Sequence, residues 1–173
     1  MKNVILRVLC WPLYFGTLIA LVVGALWGEG QKRWEDGALL VRLRRDSWPM
    51  VKGKKPWGGW YVGWGGTTFG FGVMLSPDAN ETIVEHEMVH VEQLEDATVG
   101  GWALGALVFA IVHSWLGLLA WLACWTLTPI FIYLCATLVA WLRSEPNVYR
   151  GNALEEAAYN ATAARCKSAQ SAP

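Results

Sequence analysis

Two of the three histidines in this 173-residue chain stand four apart, in His86-Glu87-Met88-Val89-His90. On a helix that spacing stacks both imidazoles on one face, where each can offer a ring nitrogen to the same ion. Glu87 lies a step round the helix, placed to take a proton from a water held by the ion and so to act as general base. A catalytic zinc site needs a third protein ligand and an open position for water. The remaining histidine, His113, falls in an apolar run, where packing or an interhelical hydrogen bond accounts for it. The third ligand is therefore expected to be a carboxylate.

Three carboxylates compete for that place. Asp96 stands six residues after His90, as in the H-E-x-x-H-x-x-G-x-x-(H/D) pattern, but that pattern turns at a glycine and here the residue is Gln93. The helix is expected to continue and to carry Asp96 away from the ion. Glu155 and Glu156 can reach the ion from a second helix, and spacing alone leaves both open. Glu155 can equally be a capping-box partner of Asn152, and Glu156 a solvated side chain.

The elements that must position these residues are set by an unusual composition. Hydrophobic residues make up 54% of the chain and charged residues 16%. That balance departs from a soluble domain and implies segments in lipid. Residues 8–27 have the length of one span, and residues 99–142 roughly two, without an acidic or basic side chain. Lys2 and Arg7 precede the first run as they would in a signal peptide. The run is long for one, however, and lacks a small-x-small cleavage pattern, so a retained helix is expected, with Trp11 and Trp27 as interfacial anchors. Net charge is zero, which excludes nucleic-acid binding by bulk electrostatics. Cys10, Cys124, Cys135 and Cys166 show no ligand spacing and read as small apolar residues.

Between the apolar runs, residues 28–55 read as a basic connector facing solvent or headgroups. Glycines interleaved with aromatic and branched residues then suggest two short strands, 60–64 and 67–75, joined by Gly65-Gly66. A helix opens at Ser76-Pro77-Asp78 or, one turn later, at Asn80-Glu81. Its apolar stripe of Ile83, Val84, Met88, Val91 and Leu94 opposes Glu81, Glu85, Glu92, Glu95 and Asp96, which predicts an amphipathic helix beside the membrane rather than within it. Residues 99–142 suit a helical hairpin broken at Thr126-Leu127-Thr128-Pro129. Asn152 then opens a last helix to about Cys166, followed by a Ser/Ala-rich end. The predicted class is α+β, a mainly helical integral membrane protein. It comprises an N-terminal transmembrane helix (1–27), a connector, Gly/Trp-rich β-hairpin and HExxH helix (28–98), a hydrophobic helical hairpin (99–142), and a C-terminal helix with a flexible tail (143–173).

Three stretches carry a family resemblance: Thr67-Thr-Phe-Gly-Phe-Gly-Val-Met-Leu75, His86-Glu-Met-Val-His-Val-Glu-Gln93 and Asn152-Ala-Leu-Glu155-Glu-Ala-Ala-Tyr159. They resemble the minimal zincins with H-E-x-x-H-x-x-Q and a later N-P-F-E-x-x-A. The order of span, motif helix, hydrophobic hairpin and E-x-x-A is similar to the HtpX-like membrane metalloproteases. The resemblance implies a gluzincin zinc site with His86, His90 and Glu155 as ligands and Glu87 as general base. It favours Glu155 over Glu156 because Ala158 falls three residues after Glu155, and it gives Gln93 the task of orienting a ligand. Ala153 and Leu154 stand where the pattern has Pro and Phe, and Tyr159 where the HtpX-like proteins have Asp.

The function expected from these features is a membrane-anchored zinc (Zn2+) metallopeptidase acting on a peptide or protein substrate held along a strand of the Gly/Trp-rich segment. Tyr149 and Tyr159 are available for the oxyanion, although packing accounts for either. Two other classes fit less of the sequence. A non-catalytic membrane interaction protein would keep the scaffold alone, and a di-iron carboxylate protein would need a second E-x-x-H, which is lacking. If the three ligands share an ion, both flanks of the hydrophobic hairpin lie on one side. Those flanks hold every Lys and Arg except Lys2 and Arg7, so the basic bias places the site on the cytoplasmic face. The expected partners are therefore the substrate and the lipid bilayer, with no nucleic acid, and the sequence leaves the oligomeric state open.

Overall fold

Among the described residues, four strands and five α-helices follow in the order α1 (Val4–Leu9), α2 (Tyr14–Trp27), β1 (Gly28–Glu35), β2 (Ala38–Leu43), β3 (Gly66–Phe69), β4 (Gly72–Leu75), α3 (Glu81–Val112), α4 (Trp115–Leu142) and α5 (Ala153–Ser171). The computed structural model describes residues 4–44, 65–143, 147 and 151–171. The chain is mainly helical with one small sheet, an α+β architecture. Two compact units are present, Leu13–Val91 and Met1–Pro12 with Glu92–Pro173. The expected strand at 60–64, the basic residues Arg45, Lys52, Lys54 and Lys55, and Tyr149 lie outside the described residues.

In the first unit the sheet order is β1-β2-β4-β3, with β2 and β4 parallel at the centre and the outer pairs antiparallel. Apart from Arg42 the central strands carry no charged or polar side chain, and Leu39, Val41 and Val73 are buried as expected for strands covered on both faces. Residues 28–43 are thus a β-hairpin rather than a polar connector. Its turn is Asp36-Gly37, both with positive φ (43° and 82°), the geometry of a two-residue primed turn for which Asp-Gly is the usual signal. The Gly/Trp-rich hairpin also differs from expectation. Its turn lies at Gly70-Phe71 and both strands fall within 66–75, because Gly70 supplies the positive φ (57°) that the turn requires.

The apolar run at 8–27 is divided rather than continuous. Pro12 sits in a short 3₁₀ turn, Trp11–Leu13, and α2 is left with 14 residues, about 21 Å of helix at 1.5 Å per residue. One face of α2 lies on the sheet through small residues. A side chain at Gly16 would collide with the Phe69 carbonyl, and one at Gly24 would come within 2.6 Å of Val41 Cγ1. The other face exposes Phe15, Leu18, Val22 and Leu26.

The motif helix and the first arm of the hydrophobic hairpin are one element, the 32-residue α3. It starts at Asn80, whose Oδ1 accepts from Ile83 N (3.0 Å). Arg42 on β2 steadies the approach by donating to the carbonyls of Pro77 and Ala79, each at 2.9 Å.

In the second unit the hairpin turns at His113-Ser114 and not at Thr126–Pro129. His113 adopts a positive φ (45°) that ends α3, and Ser114 caps α4 by accepting from Gly117 N (3.4 Å). Pro129 stays inside α4, where it removes one amide donor; Thr128 and Thr126 bond back to the carbonyls of Cys124 and Leu122. The arms approach closely at Gly101 and Gly105, four apart. A Cβ at Gly101 would lie 2.5 Å from the Cys124 carbonyl oxygen, and one at Gly105 would lie 2.8 Å from Trp121 Cα. Trp121 also donates to the Trp102 carbonyl (3.1 Å). Helices α3 and α4 are each long and apolar enough to cross a membrane. Helix α5 continues past Cys166 to Ser171, and Asn152 Nδ2 ties its start to Thr137 of α4 (3.0 Å).

Candidate metal centre

The two histidines come together as the four-residue spacing requires. Their Nε2 atoms are 3.2 Å apart, with ring planes at 86°. Zinc–nitrogen bonds of 2.0–2.1 Å at a tetrahedral angle put two ligand nitrogens about 3.3 Å apart. The pair therefore has the bite such an ion needs, and the same separation suits an N–H···N hydrogen bond when none is bound. Residues 86–89 are all buried, so the helix is enclosed at this level rather than half-exposed as the amphipathic pattern predicts.

Glu87 is 4% exposed and is held by the edge strand β3. Thr68 Oγ1 lies 2.8 Å from Glu87 Oε2 and 3.1 Å from the Glu87 carbonyl oxygen. Gly66, two residues earlier, lies against the same side chain: a Cβ there would stand 2.8 Å from Glu87 Cγ and 2.9 Å from Oε1. The sequence marks Gly66 only as part of a turn and does not single out Thr68. The available signal was period-two alternation, which puts both on one face of β3.

The carboxylate is supplied by the first turn of α5. Asn152 opens that helix, its Oδ1 accepting from Leu154 N (2.9 Å) and its carbonyl from Glu156 N (3.0 Å). Gln93, one turn beyond His90 on α3, donates from Nε2 to the Leu154 carbonyl at 2.9 Å. The backbone bonded is that of the residue before Glu155, so Gln93 sets the position of the peptide that bears the carboxylate. Glu155 is 2% exposed and Ala158, one turn on, is fully buried, whereas Glu156 is exposed.

His86, His90 and Glu155 form a group whose ligand-capable atoms all lie within 4.8 Å of one another. Such a group can hold a metal ion, and two imidazoles with one carboxylate are donors that leave a fourth position open. Asp96 is exposed on the uninterrupted helix and is not part of the group. No family model, curated protein or solved structure matches this chain. His113 is in the hairpin turn, and Tyr159 is 46% exposed on α5. None of the four cysteines forms a disulfide, and Cys10, the buried one, faces the Glu95 carbonyl.

Proposed function

We propose that the protein is a membrane-anchored metallopeptidase of gluzincin type, with His86, His90 and Glu155 as zinc ligands and Glu87 as general base. The observation that carries this reading is the grouping of two helix-stacked imidazoles with a carboxylate from a distant helix, beside a buried glutamate held apart from them. The donor set is three neutral-or-anionic N/O groups, which favours zinc among common ions but leaves the identity to measurement. When bound, the ion would supply Lewis-acid polarisation of a scissile carbonyl and of the attacking water. Glu87 would take the proton of that water and return it to the leaving amine. Strand β3 lies at the edge of the described sheet beside Glu87, so an extended peptide pairing with it would pass the general base.

The membrane reading rests on α3 and α4. The acidic side chains of α3 all fall in its first half, and the charge-free remainder, 97–112, is about 24 Å long at 1.5 Å per residue. Helix α4 reaches about 42 Å by the same rise. With the turn at His113-Ser114, the charge-free part of α3 and the whole of α4 form the two arms of the hairpin, and α5 follows from the end opposite that turn. In this reading that end lies at the cytoplasmic surface, where the basic residues concentrate, and the outer face of α2 meets lipid.

The test is metal analysis and peptide cleavage on the full chain in detergent. The expected result is about one zinc per chain, lost in Glu155→Ala and retained in Glu156→Ala. Glu87→Gln should keep the zinc and lose cleavage by more than about 100-fold. Retained zinc in Glu155→Ala would overturn the ligand set. Unchanged cleavage in Glu87→Gln would overturn the enzyme reading, and zinc without any cleavage would leave a metal-binding membrane protein.

A further inference from the structure

A glutamate that serves as base must present one carboxylate oxygen to water in a fixed direction, yet its side chain has three rotatable bonds. Glu87 is fixed from outside its own helix. Thr68 is registered opposite Val73 in the β3–β4 ladder, so the sheet rather than α3 sets where its hydroxyl stands. That hydroxyl has one proton and two acceptors in reach, the Oε2 at 2.8 Å and the main-chain carbonyl at 3.1 Å, and the shorter contact to the carboxylate takes it. The second oxygen, Oε1, occupies room that exists because residue 66 has no side chain. The alternation of the strand puts these two features side by side: a donor for one oxygen and a gap for the other.

We propose that Thr68 is the positioning residue of the general base, and that Gly66 and Thr68 together form the seat that aims Glu87. The proposal rests on the peptidase reading for its catalytic consequence, while the pairing itself is a contact within the chain. Its first test is a thermal-unfolding cycle on the metal-free full chain in detergent. Thr68→Val should lower Tm by several degrees when Glu87 is present and by less than half as much in a Glu87→Ala background. Additive shifts would overturn the pairing.

The second test is kinetic. In the zinc-loaded protein, Thr68→Val should lower kcat about 10–100-fold with KM within about twofold, and Thr68→Ser should recover activity to within about threefold of wild type. Zinc content should be unchanged in both. An unaltered kcat in Thr68→Val, with Glu87→Gln inactive, would overturn the positioning role. If wild type and Glu87→Gln alike fail to cleave, the peptidase reading fails on its own account, and the unfolding cycle still decides whether Thr68 holds Glu87.

Discussion

His86 and His90 owe their proximity to a single helix, four residues and one turn apart, whereas Glu155 reaches them only after the chain has passed through the rest of α3 and the whole of α4. The pair is positioned by local geometry: any sequence that is helical there brings the imidazoles together. The carboxylate is positioned by a relay of contacts, Asn152 to Thr137, Asn152 to the α5 amides, and Gln93 to the Leu154 carbonyl. One half of the site thus inherits the stability of a long helix, and the other depends on a few hydrogen bonds and close glycine contacts. The difference predicts where substitutions act on the metal directly and where they act through position.

The largest effect is expected at the local pair. His86→Ala or His90→Ala removes a ligand outright and should lower metal affinity by more than about 100-fold, with helix content by circular dichroism unchanged. Affinity that survived either change would mean the ion is held elsewhere. Gln93→Leu leaves all three ligands in place and removes only the donor to Leu154. A supporting contact of this kind is worth about 10–100-fold in affinity, read by competition with a chromophoric chelator. A full-strength site in that variant would show that Glu155 is placed by packing alone.

Asn152→Ala should act more weakly and on two quantities at once. Losing an N-cap costs about 1 kcal/mol of stability, measured as a shift in thermal or denaturant midpoint. The same change removes the bond to Thr137, so metal affinity should fall by a few-fold, less than for Gln93→Leu. Equal losses in the two variants would dissolve the distinction between capping the helix and fixing its first turn.

Legibility followed the same division. The histidine pair could be read from its four-residue spacing, and the start of α3 narrowed to Ser76-Pro77-Asp78 or Asn80-Glu81, of which the structure takes the later, because each is a property of neighbouring residues. Glu155 required a resemblance to choose it over Glu156. Spacing could not settle that choice, since what separates them is which face of α5 is buried. Proline usually breaks helices, which points to a turn at Thr126–Pro129, whereas α4 accommodates Pro129 and His113 takes the left-handed turn instead. The seat of Glu87 was hidden for a different reason: Gly66 and Thr68 matter only through α3, and a strand pattern does not say what it faces. The β1–β2 hairpin, by contrast, carries its mark in Asp36-Gly37, but the surrounding charges suggest a solvated connector instead.

That hairpin supplies the smallest predicted effect and the control for the others. β1 and β3 are opposite edges of the described sheet, so the Asp36-Gly37 turn lies in the strand pair that does not hold Glu87. Gly37 has φ 82°, a conformation that costs an alanine about 1 kcal/mol. Gly37→Ala should therefore lower the unfolding midpoint by a few degrees, comparable to Asn152→Ala, yet leave metal affinity and any cleavage within about twofold of wild type. If metal binding fell with the midpoint, loss of global stability would explain the weaker Asn152 effect equally well. If it did not, the fall seen at Asn152 reports the position of Glu155, since two variants of like stability would differ only in whether they disturb the helix that carries it.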